Sequence, residues 1–135
     1  MAPPLVLDFD GSVRGLGGEQ TIALADWQEA IRFGCSHGRW RALAGHLQAR
    51  LPSTHGTVFL GSGHFHHLSH LLIGRRDPGQ TCDVVVFDNH PDNMRFPFGI
   101  HCGSWVRHSA AWPWVGTIHV LGITSADVAW RHAWE

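Results

Sequence analysis

Lysine and tyrosine are absent from this 135-residue chain, and charged residues make up only 16% of it. All 10 basic residues are arginine, and no basic run is longer than Arg75-Arg76. With a net charge of −1, the chain lacks the basic footprint by which proteins track a phosphate backbone, so nucleic acid is excluded as a partner. Cysteine is scarce. Cys35, Cys82 and Cys102 lie far apart and form no C-x-x-C pair. That excludes a disulfide scaffold and a zinc knuckle, and fits reduced thiols in a cytoplasmic protein. No apolar run approaches the roughly 20 residues that span a bilayer, which argues against a membrane protein. Met1-Ala2-Pro3-Pro4 also lacks the charged-then-apolar pattern of a signal peptide.

What the chain has in excess is histidine, whose 12 copies outnumber the arginines. Hydrophobic residues reach 44%, the composition of a chain that folds around a core. The length suits one domain, 1–135, without an internal linker. Short apolar runs at 5–9, 57–60, 83–87 and 117–121 read as strands. Helical spacing predicts helices over 21–33, 39–51, 66–73, 104–111 and 125–134, with Thr124 or Ser125 as the last cap. Strands alternating with helices imply an α/β fold with a mostly parallel sheet covered on both faces. About four strands is fewer than such sheets usually hold, so the chain reads as truncated or incomplete.

Four groups of residues carry chemistry. Asp88-Asn89-His90-Pro91-Asp92 follows the run Asp83–Phe87, which reads as a strand buried on both faces. If the chain stays extended, as Pro91 encourages for His90, then Asp88, His90 and Asp92 point the same way at the strand's carboxyl end. Two carboxylates and an imidazole suit a hard divalent cation such as Mn²⁺. The alternative is a turn capped by Asp88 with Asn89, Asp92 and Asn93 solvated. The second group is His64-Phe65-His66-His67-Leu68-Ser69-His70, in which at least two histidines are expected to be structural; the sequence does not choose among them, and His66 or His67 is favoured as a further ligand. In the third, His101 lies in Gly99-Ile100-His101-Cys102-Gly103, placed to move a proton beside a metal site. The fourth is Asp8 and Asp10, in Leu5–Ser12.

The order of the last three motifs along the chain, over residues 57–103, resembles the ureohydrolase family of arginases and agmatinases, whose fold is shared by histone deacetylases. Leu60-Gly61-Ser62-Gly63 before the histidine cluster, Asp88-x-His90-x-Asp92 and His101-Cys102-Gly103 carry the likeness. The resemblance implies a three-layer αβα fold and two Mn²⁺ ions, with Asp88 bridging them, His90 on one, Asp92 on the other, and His66 or His67 completing the set. Asp8, Asp10, Asn89 and Asn93 would stand behind these ligands. The activity implied is hydrolysis of a C–N bond in a small guanidino or amide substrate, with His101 handling the proton. The family's second Asp-x-Asp motif is missing, since Asp127 is the one later aspartate. The chain therefore looks like the N-terminal half of such a domain, its partner being a missing C-terminal half or a second copy. Two other readings compete. Leu5–Ser12 also resembles the first motif of haloacid-dehalogenase-like phosphatases, with Asp8 as nucleophile and Asp10 as acid. The seven tryptophans fit a non-catalytic metal-binding or assembly module.

Overall fold

The computed structural model describes residues 2–126. The helix expected over 125–134 falls almost wholly outside them. In chain order the elements are β1 (Leu5–Asp8), β2 (Gln20–Ala23), α1 (Gln28–Ile31), β3 (Gly34–Ser36), α2 (His37–Gln48) and β4 (Val58–Phe59), then α3 (Ser69–Ile73), β5 (Cys82–Phe87), β6 (Gly99–His101), α4 (Trp105–Ser109) and β7 (Val115–Leu121). Two 3-10 helices, Ala25–Trp27 and Gly63–Leu68, join them. The chain is a mixed α/β protein with small parallel sheets. It divides into two compact units, 1–66 and 67–135, the division falling inside the 3-10 helix Gly63–Leu68. No helix among the described residues is long and apolar enough to cross a membrane.

In the first unit β1 is the central strand, paired in parallel with β2 on one side and β4 on the other. Leu5, Val6 and Leu7 are all buried, as a central parallel strand requires. The helix expected over 21–33 starts later than its apolar spacing suggests. Gln20–Ala23 is instead a strand, in register from Leu5 opposite Gln20 to Asp8 opposite Ala23. β-branched Thr21 and Ile22 suit that edge, and tertiary pairing with β1 overrides the helical pattern. Helix α2 begins where Ser36 accepts the Arg39 N–H, an N-cap, and buries Leu43 and Leu47. Phe9 and Phe65 close the core as a stacked pair with ring centres 4.7 Å apart.

In the second unit β5 and β7 pair in parallel, with Val84 opposite Ile118 and Phe87 opposite Leu121. An irregularity near the start has a local cause: Asp83 accepts the Thr117 N–H at 2.8 Å. A Cβ at Gly116 would lie 2.6 Å from that same carboxylate oxygen, so a larger residue there would displace the Asp83 side chain. β5 is not buried on both faces, contrary to the reading of its sequence. Val85 is 55% and Phe87 83% exposed, because one face of this two-stranded sheet has no covering layer among the described residues. Helix α3 stops at Gly74, where a Cβ would meet the Trp112 ring at 2.7 Å. Helices α3 and α4 are joined through His70, which contacts Ser109 and stacks on Trp112.

Candidate metal centre

Strand β5 delivers Asp88 at its carboxyl end, where the Asp88 N–H donates to the Leu121 carbonyl. There the extended chain ends. The Asp88 carboxylate accepts the His90 N–H at 3.0 Å, a side-chain-closed turn, and Asp92 takes a left-handed conformation with φ 49°. Residues 88, 90 and 92 therefore do not share one direction, and the alternation expected of them stops at Phe87. His90 swings outward, 51% exposed, with Nδ1 3.7 Å from Asp88 Oδ1. Asn89 and Asn93 are exposed. Asp92 turns inward to 5% exposure. Its Oδ2 accepts the Trp105 indole N–H at 2.8 Å, and its carbonyl accepts the Val106 N–H.

Within the second unit, a carboxylate oxygen of Asp88 and one of Asp92 lie within 4.8 Å of each other, a pair able to share a metal ion. His66 is fixed in the manner of a metal ligand. Its Nδ1 lies 2.5 Å from the Gly63 carbonyl oxygen, which can only accept, so Nδ1 carries the proton and Nε2 the lone pair. Histidines that bind metals commonly hold their second nitrogen this way. Each carboxylate is likewise tethered, Asp88 by a backbone N–H and Asp92 by an indole.

The other histidines of the cluster have different surroundings. His67 is fully buried, with Nδ1 3.5 Å from Cys102 Sγ. At His64, Nδ1 accepts from Arg32 and the ring packs on Phe33. His70 accepts the Trp112 indole N–H at 3.2 Å. Burial, followed by the charge of nearby His108, lowers its pKa to about 4. A stability effect follows. In the unfolded chain this imidazole binds its proton near pH 6.5, ahead of the folded protein. Stability should therefore fall as pH drops from about 6.5 to about 4, by roughly 3 kcal/mol in all, and level off below. Thermal unfolding across that range checks this, and His70→Gln should flatten the dependence.

His101, on β6, accepts the Gly103 N–H at Nδ1 and meets the Phe96 ring at 4.5 Å. Burial lowers its pKa, against an opposing pull from the Asp92 carboxylate. Because Nδ1 accepts the Gly103 N–H, the ring of the neutral form carries its proton on Nε2. Asp8 and Asp10 hold their own loop. Asp8 accepts the Gly11 N–H at 2.7 Å, and Asp10 accepts from Ser12 and from the Ser62 N–H. For Asp10 desolvation pushes upward, but the hydrogen bonds of Ser12 and Ser62 outweigh it and set the pKa at about 2. Trp105 is the site residue that sequence reasoning missed. A tryptophan beside Val106 reads as core, and no local pattern ties it to Asp92.

Comparison with known proteins adds one partial relative. No family model matches the chain, and no solved structure matches it. It is 44% identical over 57 residues to an uncharacterized protein of Thermotoga maritima. That match covers 42% of this chain and 22% of the relative, so the chain corresponds to less than a quarter of that protein's length.

Proposed function

We propose that Asp88 and Asp92 hold a divalent cation, with His66 as the further ligand that the ureohydrolase resemblance implies, and that this is the metal site of an arginase-like hydrolase acting on a C–N bond. The observation that carries the reading is the approach of an Asp88 and an Asp92 carboxylate oxygen to within 4.8 Å. One imidazole and two carboxylates form a hard donor set, which fits Mn²⁺ better than a soft ion. Three ligands account for one ion, consistent with half of the two-ion arrangement that the ureohydrolase likeness implies. A three-layer αβα domain of that family, built from more chain than these residues, belongs to the same reading.

When bound, the ion would supply Lewis acidity toward a planar guanidino or amide carbon and toward water. The remaining chemistry falls to the chain. His66, Asp88 and Asp92 set the ion's position through their tethers to Gly63, the His90 backbone and Trp105. His101 presents an Nε2–H, so it can donate a hydrogen bond to charge developing on the substrate. A second reading, a non-catalytic metal-binding or assembly module, is favoured by the exposed Val85, Phe87 and Leu121 of the β5–β7 sheet.

The test is release of urea or ammonia from a panel of guanidino and amide compounds by the Mn²⁺-loaded protein. Turnover that disappears in Asp88→Ala supports the hydrolase. Metal binding without turnover of any compound leaves the module instead.

A further inference from the structure

The deepest tether in the centre is the indole of Trp105, the first residue of α4, which is 4% exposed. Its Nε1–H donates to Asp92 Oδ2 at 2.8 Å, and the next residue, Val106, donates its backbone N–H to the Asp92 carbonyl. Asp92 is thus gripped at both its side chain and its main chain by one turn of helix. The grip is needed. Asp92 sits at φ 49°, a conformation that non-glycine residues keep only when their surroundings over-determine it. A buried carboxylate without a donor also carries a large desolvation penalty. An indole has one donor and no acceptor, so it aims a single carboxylate oxygen without competing for the ion.

We infer that Trp105 is a positioning residue for the metal centre, which sets cation affinity by fixing the Asp92 carboxylate. This rests on the metal reading above. Trp105→Phe removes the N–H while retaining most of the ring that fills the core. It should weaken Mn²⁺ binding by about ten- to hundredfold, the usual cost of losing a group behind a ligand. The control is Val106→Ala, which loosens the same buried turn but keeps both hydrogen bonds to Asp92. It should bind Mn²⁺ nearly as the wild type does.

Calorimetry with Mn²⁺ on the three proteins reads this out. A second measurement needs no variant at the indole: its Nε1–H resonance in the wild type should move when Mg²⁺ is added as a diamagnetic probe. Unchanged affinity in Trp105→Phe would overturn the inference, and so would an equal loss in Val106→Ala. If Trp105→Phe does not fold, a resonance that stays still on Mg²⁺ saturation overturns it. Wild-type protein that takes up neither ion removes the metal reading itself, an outcome distinct from these.

Discussion

Asp92→Asn should weaken Mn²⁺ binding by more than about a hundredfold, since losing a ligand must cost more than losing the group behind it. The metal-free protein should be as stable as the wild type or more so. The asparagine carbonyl can still accept the Trp105 N–H that Asp92 accepts at 2.8 Å, so no buried donor is orphaned. Asparagine also tolerates the left-handed conformation found at this position better than most residues. The substitution further removes a negative charge from a site 5% exposed, and buried charges are costly to keep. Thermal unfolding without metal, with parallel calorimetry, separates the two effects. Loss of binding with stability retained marks Asp92 as kept for its ligand. A large fall in stability would make it a structural group.

Phe65→Ala should destabilise the protein by about 3–5 kcal/mol. Phe65 is 1% exposed and stacks on Phe9, itself 1% exposed, at 4.7 Å. Truncating one ring removes its buried area and leaves a void that the parallel β1–β4 pair cannot close. Against a total of about 5–15 kcal/mol for a domain of this kind, the loss is a large share. Phe65→Leu, which refills part of the void, should cost less than half as much. Denaturant unfolding followed by circular dichroism checks both. The neighbouring His66 shares the 3-10 helix Gly63–Leu68, so Mn²⁺ affinity should fall with the fold in Phe65→Ala.

How far the site could be read from sequence depended on how local its determinants are. The run from Cys82 to Phe87 announced a strand, and a strand's carboxyl end announced Asp88. Asp92 was reached for a reason that does not hold. It was placed by extended alternation, whereas the chain turns at Asp88 and brings Asp92 inward through a left-handed residue. The same turn carries His90 outward, and no pattern of residue types distinguished the two. Choosing among four clustered histidines was beyond local reading, because what distinguishes them is remote. Cys102 holds His67, Trp112 and Ser109 hold His70, and Arg32 holds His64. His66 has a tether to a near neighbour, Gly63. The strand at Gln20–Ala23 escaped for a related reason, since its pairing with β1 competes with a helical pattern that is real but weaker.

The most direct measurement is calorimetric titration of Mn²⁺ into the wild type, His66→Ala and His90→Ala. The proposed ligands are His66, Asp88 and Asp92, while His90 is 51% exposed. Binding is therefore expected in the wild type, lost in His66→Ala and retained in His90→Ala. Binding that survives His66→Ala, or vanishes in His90→Ala, would contradict the site described.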